Sequence, residues 1–219
     1  MSENMKKITV NYGAGFERDY NNYNYNSDRR KHTPTWDEYK QALSDNLEDS
    51  RFYYIMRLGH ELGLSPLAVA NLKKVFFNSM QPKSIYVETA KAVVRTKNHP
   101  AVMRSRLLPV NDSLYVGLKD YIKTHQSMYL IPKVKGNGPL SVVYVCNLYK
   151  SKGIKWTPHR ARVFFKSQMK TVLIPAKMYD EGEVRKMMGH QPRDSGERYD
   201  DLNIDLDRIY VNEVFGKRL

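Results

Sequence analysis

Cysteine is nearly absent from this 219-residue chain, with Cys146 the one instance. A lone cysteine closes no internal disulfide and builds no multi-cysteine zinc site. A chain of this length buries roughly 70% of the surface its unfolded form exposes, so a core needs no such staples. Disulfide-dense secreted scaffolds are therefore excluded, and a reducing, cytoplasmic setting is the simplest expectation. Long apolar runs are also missing. Val142–Val145 and Val163–Phe165 are typical of what there is, against the ~20 residues of a membrane-spanning helix. The Met1-Ser2-Glu3 start has no signal-peptide character, so neither a membrane span nor a leader is expected.

Acidic residues are scarce in one block. Residues 73–177 carry 3 acidic side chains against 20 basic ones, within a chain of net charge +13. Such a concentrated surplus favours polyanions and predicts salt-dependent binding of nucleic acid rather than a merely solvated surface. Aliphatic residues are scarce in another block. Asn11 to Asn26 reads NYGAGFERDYNNYNYN, which buries too little to order itself and predicts a flexible arm over residues 1–34. Arg29, Arg30 and Lys31 close that arm as a basic cluster, and tyrosine rings beside cations suit stacking on bases.

Order begins at Thr35. Thr35-Trp36-Asp37-Glu38 is a capping box, followed by Tyr39, Leu43 and Leu47 at helical spacing. A second helix is predicted from Arg51 to Glu61, ending near Gly63. Ser65-Pro66 then opens a third through LAVANLKKVFF, as N-cap and first helical position. Ile85–Val87, Ala92–Val94 and Arg106–Leu108 read as strands, with turn chemistry at Thr96–Pro100. Leu114–His125 returns to helix, and Gly136–Pro139 reads as a loop. Ser141–Leu148 is either a strand or a buried helix. Thr157-Pro158 repeats the cap signal before HRARVFFKSQM, and Glu181–Met188 stops at Gly189. The sum is a mainly α protein with a small antiparallel sheet, an α+β class.

Three short boxes carry chemistry. His159 and Arg162 are three residues apart near a helix start and share a face. Gly189-His190 closes a helix about thirty residues later, and Tyr199 lies nine residues beyond His190. Each alone is common; their order and spacing together are specific. In these boxes, TPHRAR, VRKMMGH and GERY, the chain resembles the catalytic domain of the tyrosine recombinases, the phage-type integrases. RTKNHPAVMRSRLLPV matches the hairpin on which that family carries a lysine, here Lys97. The resemblance runs from about Thr35 to Tyr199 and the tail beyond.

It implies a catalytic domain over 35–199 and a C-terminal segment, 200–219, that docks on a neighbouring protomer. It implies cleavage and rejoining of double-stranded DNA through a 3′-phosphotyrosyl link. Tyr199 would be the nucleophile, Arg162 a phosphate clamp, and His190 a hydrogen-bond donor. His159 would be an acid/base or donor, and Lys97 the acid at the leaving 5′ oxygen. No cofactor or metal is called for: His159 and His190 lack a nearby cysteine or an H-x-x-x-H pair. Candidate DNA-contacting cations are Arg29, Arg30, Lys31, Arg104, Arg106, Arg160 and Lys166. A homo-oligomer on DNA, an accessory protein, and a mobile element or virus as source follow from the same resemblance.

The chain departs from that pattern at two points. The family's first arginine belongs to a Gly-Leu-Arg box; here Gly63-Leu64-Ser65-Pro66 puts Ser65 at that position, and Ala68 replaces the acidic residue beyond it. Either another cation supplies the charge or the protein is a catalytically degenerate DNA binder, a regulator or architectural factor. Arg95 is the preferred substitute, since it shares a strand face with Lys97; Arg57 is the second. HELGLSPLAVANLKK also has the look of a helix-turn-helix, which suits the degenerate reading. The other departure is that 34 residues precede Thr35, where relatives carry a helical DNA-clamping domain. Tyr210 is a fallback nucleophile, and an RNA-binding accessory role rests on charge and the Tyr/Asn arm alone.

Overall fold

The computed structural model of the chain describes residues 31–78, 83–90, 103–188 and 204–218. Helix α1 spans Trp36–Ser44. Its capping box forms as the sequence requires: Glu38 N–H donates to Thr35 Oγ1 at 3.2 Å, and Thr35 N–H donates back to Glu38 Oε2 at 2.8 Å. The helix stops before Leu47, which is exposed. The chain turns through Asp45 and Asn46 instead, and Asp49 caps α2, Ser50–Glu61.

One buried carboxylate ties the first helices together. Glu61, fully buried, accepts from Tyr39 Oη of α1 at 2.7 Å and from Arg57 Nε and Nη2 at 2.6 and 3.0 Å. Asn111 Nδ2 donates to it as well, at 2.6 Å. Burial opposes the charge on Arg57, and Glu61 more than offsets it, so Arg57 stays charged. Burial first and the Glu61 charge second push the Tyr39 hydroxyl well above its ordinary pKa. The second candidate for the missing cation is thereby corrected: Arg57 is committed to Glu61, Ser113 and Tyr53 in the interior.

After α2 the backbone reverses at Gly63, whose φ of +61° suits glycine alone at low cost. A Cβ there would come within 2.8 Å of Phe165. Ser65 then caps α3, Pro66–Asn71, accepting from Ala68 N–H at 3.2 Å. This helix is shorter than the apolar pattern predicts. Leu72 is already extended, and its carbonyl accepts from Leu130 N–H at 2.7 Å, while Lys74 N–H donates to Met128 O at 2.9 Å. Pairing with the 128–130 segment draws KKVFF out of the helix into a 3₁₀ turn (Lys74–Phe76) and strand β1, Phe77–Asn78.

The sheet is antiparallel in the order β1-β2-β3, with β2 at Ser84–Ala90 and β3 at Met103–Pro109. Its register pairs Ile85 with Leu108, Val87 with Arg106 and Ala90 with Met103. Ile85, Val87, Leu108 and Val110 are buried on the inner side. Residues 91–102 connect the two longer strands; Ala92–Val94 and the turn at Thr96–Pro100 lie outside the described residues.

Asn111 caps α4, Asp112–Tyr121, accepting from Leu114 N–H at 2.9 Å, and a 3₁₀ turn ends it before His125. Ser141 settles the ambiguous segment as a helix: its hydroxyl accepts from Tyr144 N–H at 3.0 Å and starts α5, Val142–Ser151. Helix α6 spans Arg160–Leu173, two residues after the expected first helical position at Pro158. Thr157-Pro158 forms a lead-in turn, with Arg160 N–H on Thr157 O at 2.9 Å. The buried face of α6 is Ala161, Phe164, Phe165, Gln168, Met169 and Leu173, at helical spacing. Gly59 of α2 faces Ala161, so α2 and α6 approach closely.

Helix α7 spans Glu181–Met187, and α8 spans Ile204–Val211 before a π-turn at Asn212–Gly216. The C-terminal segment, expected to dock on a neighbouring protomer, is helical from Ile204. Its described side chains enter this chain's own core: Tyr210, Val211, Val214 and Phe215 are buried, and Phe215 stacks on Phe165 with ring centroids 5.8 Å apart. Among the described residues no helix is long and apolar enough to cross a membrane.

Replacing Glu61 by Gln should destabilise the protein by about 3–5 kcal/mol, because Arg57 is left charged and unmatched in the interior. Chemical denaturation of the two proteins measures this, and a loss below about 1 kcal/mol would contradict it.

Candidate functional site

Arg162 and His159 are the candidate catalytic residues that lie among the described residues. Tyr199, His190, Lys97 and Arg95 lie outside them. His159 stands at the N-cap position of α6 without bonding the helix N–H groups. Arg162, one turn on, is half-buried and sends Nη2 to the carbonyl of Met188 at 2.7 Å. That carbonyl ends α7, two residues before His190 in sequence. Helix ends leave such carbonyls without helical partners, and cations there are favourable.

A second guanidinium reaches the same helix end. Arg106 of β3 is 8% exposed and donates from Nε to Met187 O at 2.8 Å. Consecutive carbonyls, Met187 and Met188, thus receive Arg106 and Arg162. Burial first, then repulsion from Arg162, lowers the pKa of Arg106 to about 10, which still leaves it charged at neutral pH. Partial burial first and the Arg162 charge second hold His159 below the ordinary imidazole range. Burial lowers Arg162 itself.

The Gly63-Leu64-Ser65 box adjoins this place. A Cβ on Gly63 would lie 3.3 Å from the Met188 side chain and 2.8 Å from Phe165 of α6. Ser65 itself is occupied with capping α3.

The remaining DNA-contact candidates are placed as follows. Lys31 is exposed, and Arg104 belongs to β3; Arg29 and Arg30 lie outside the described residues. Arg160 donates to His32 O at 3.3 Å and to the Thr33 hydroxyl. Lys166 is ion-paired with Glu181, which also accepts from Tyr179 Oη at 2.5 Å. Those bonds, Lys166 foremost, pull Glu181 down to about 2. Tyr210, the fallback nucleophile, is buried with its hydroxyl on Met178 O. Arg106, a DNA-contact candidate, is instead largely buried, and its meeting with Arg162 at one helix end is not part of the sequence expectation. Its signal was an arginine in phase with Leu108 and Val110, at an inward position of a strand.

No protein family and no curated protein matches the chain by sequence. Solved structures do match by shape. XerA recombinase shares 20% identity, with 81% of this chain aligned to 64% of that one at a TM-score of 0.56. The integrase from mycobacterium phage Brujita shares 18%, with 85% aligned to 60% at 0.60. Lambda integrase, solved as a tetramer bound to a Holliday junction, shares 16%, with 80% aligned to 50% at 0.56. Its isolated catalytic core is covered over 92% of its length, at 16% identity and a TM-score of 0.51 over 74% of this chain.

The chain has the fold of a tyrosine recombinase catalytic domain. It spans less than two thirds of the length of XerA and of the Brujita integrase. In the recombinase fold of this chain, α7 and α8 flank the stretch in which His190 and Tyr199 occur. A carboxyl pair joins these two helices. Asp207 of α8 is fully buried and meets Glu183 of α7, with Lys186 Nζ 3.5 Å from Glu183. Burial first, then the Glu183 charge and its hydrogen bond, push Asp207 up to about 8; Lys186 opposes this.

An acid raised in this way binds its proton in the folded state between about pH 4 and pH 8 and loses it on unfolding. Stability is therefore fully present below about pH 4, declines between about pH 4 and pH 8, and levels off above the folded pKa. Thermal melts should show a melting temperature that declines from pH 5 to pH 9. Asp207→Asn should flatten the decline and stabilise the protein at pH 9 by on the order of 1–3 kcal/mol. A parallel decline in both proteins would contradict the pairing.

Proposed function

We propose that the chain cleaves and rejoins DNA strands through a 3′-phosphotyrosyl intermediate, as a site-specific recombinase. The observation that carries this reading is Arg162 held on the α7 carboxyl end in a recombinase catalytic fold, two residues before His190. The Tyr199 oxygen attacks the scissile phosphorus. The P–O5′ bond breaks, the tyrosine proton passes to a base, and Lys97 gives a proton to the departing 5′ oxygen. Bond energy is kept in the phosphotyrosyl link, so rejoining is the same step reversed.

A free tyrosine hydroxyl titrates near ~10 and is a weak nucleophile at neutral pH. His159, held below the usual imidazole range, is neutral and able to accept its proton. Negative charge builds on the non-bridging oxygens during attack. A planar, permanently charged guanidinium binds two of them at once, which suits Arg162. His190 adds a hydrogen bond. Arg95, on the segment with Lys97, is the second cation that the sequence reading proposes.

Double-stranded DNA as substrate agrees with the basic block 73–177. Assembly of several copies on DNA follows the state in which lambda integrase was solved. Residues 1–34 as an arm, 35–199 as the catalytic unit and 200–219 as a docking segment complete the proposed organisation; the described part of that segment, 204–218, also packs in cis.

One observation favours a second reading. Ser65 spends its hydroxyl on the α3 cap where the family places an arginine, which fits a DNA-binding relative without strand transfer. Nicked suicide substrates that trap the cleaved strand decide between the two. The recombinase reading expects an SDS-stable protein–DNA adduct that Tyr199→Phe abolishes and Arg162→Ala lowers by about 10²–10³-fold. DNA binding without any adduct would leave the second reading.

A further inference from the structure

We propose that Arg106 is the second guanidinium of the phosphate clamp and replaces the arginine displaced by Ser65. This assignment rests on the strand-transfer reading above and names a residue other than Arg95.

The placement of Arg106 is costly for a purely structural residue. It occupies an inward position of β3, opposite Val87 and in phase with Leu108. A charge at such a position is unfavourable unless its surroundings use it. What it meets is the end of α7, where its Nε bonds Met187 O at 2.8 Å while Arg162 bonds Met188 O at 2.7 Å. Two guanidiniums are thus seated on neighbouring carbonyls by two different elements, a strand and a helix.

Three lines converge on phosphate. Two guanidiniums seated on adjacent carbonyls repel one another, and a dianionic phosphorane between them reverses the sign of that interaction. The Gly63-Leu64-Ser65 box adjoins the same helix end, since a Cβ on Gly63 would meet the Met188 side chain at 3.3 Å. The charge missing at Ser65 would then come from the sheet instead of from α3. The order of the chain adds the third line: β3 follows directly on residues 91–102, among which Lys97 occurs. One strand would then bring both the clamp and the leaving-group acid to the phosphate.

The test uses the full chain and two suicide DNA substrates. One is ordinary; the other carries a methyl group in place of one non-bridging oxygen at the scissile phosphate, so that centre has no charge to clamp. On ordinary DNA, Arg106→Gln should lower the rate of adduct formation by about 10²–10³-fold, with DNA affinity little changed. On the uncharged phosphate most of that loss should vanish, because the neutralised oxygen no longer needs its cation. Arg106→Lys keeps the charge that the fold requires but lacks the planar fork. It should lose at least about tenfold on ordinary DNA and show the same recovery.

A wild-type rate in either variant on ordinary DNA overturns the assignment. So does an equal loss on both substrates, the mark of a merely structural role. If the unmodified protein gives no Tyr199-dependent adduct on either substrate, the strand-transfer reading itself falls and takes this assignment with it. If Arg95→Ala alone shows the phosphate-specific recovery, the clamp belongs to Arg95.

Discussion

The architecture depends on satisfying one buried negative charge. Glu61 sits at the end of α2 and takes hydrogen bonds from Tyr39, Arg57 and Asn111, that is, from α1, from its own helix and from the cap of α4. Leaving such a carboxylate short of donors costs several kcal/mol. The three elements are therefore held in one mutual arrangement rather than a family of similar packings. From that arrangement the rest follows in sequence. The end of α2 fixes where Gly63 turns, Gly63 fixes its contact with Phe165 and Met188, and Gly59 against Ala161 sets the approach of α6. Arg162 rides on α6, so the position of its guanidinium is inherited from a carboxylate in another helix.

The carboxyl end of α7 is the second organising feature. A short helix of seven residues has little stability alone. Here Asp180 caps its start, its Val184 and Met187 side chains are buried, and two arginines take its last carbonyls. This arrangement converts backbone carbonyls, which are weak partial charges, into an anchor for full cations. Arginine suits that task because one N–H can be spent on a carbonyl while the planar group keeps its orientation. The same contact that stabilises α7 therefore presents positive charge at a defined place.

Much of this was legible in the sequence because it was written in local chemistry. The caps at Thr35 and Ser65 are set by side chains bonding N–H groups three residues on, and the strand pairing around Ile85–Val87 and Arg106–Leu108 follows from alternation, whereas the Ser141 cap decides a segment that the pattern leaves open. What escaped was set at long range. KKVFF leaves the helix because the 128–130 segment pairs with it, more than fifty residues away. The C-terminal segment reads as a tail that docks on a neighbour, yet from Ile204 it is helical and its Tyr210, Val211 and Phe215 are buried in this chain's own core. Arg57 reads as a spare cation until its partner Glu61, one turn along, proves to be buried with it. Of the site, the pairing of His159 with Arg162 was legible from helical spacing. The meeting of Arg106 with Arg162 was not, because a strand and a helix 56 positions apart share no local pattern.

The Ser65 substitution can be weighed on this basis. A serine N-cap contributes about 1 kcal/mol to a helix, and α3, with six residues, has few other resources. One clamping cation contributes roughly 2.7–4 kcal/mol to a transition state of this charge. Exchanging the second for the first is a poor exchange for an enzyme and a good one for a DNA-binding relative. The exchange ceases to be poor if the cation is delivered by another element. A strand is well suited to that, because α3 is then free to be closed by its own cap while β3, paired along its length with β2, holds the guanidinium more rigidly than the first residue of a short helix would. On this argument the serine and the inward arginine are two halves of one arrangement, and neither is explained well without the other.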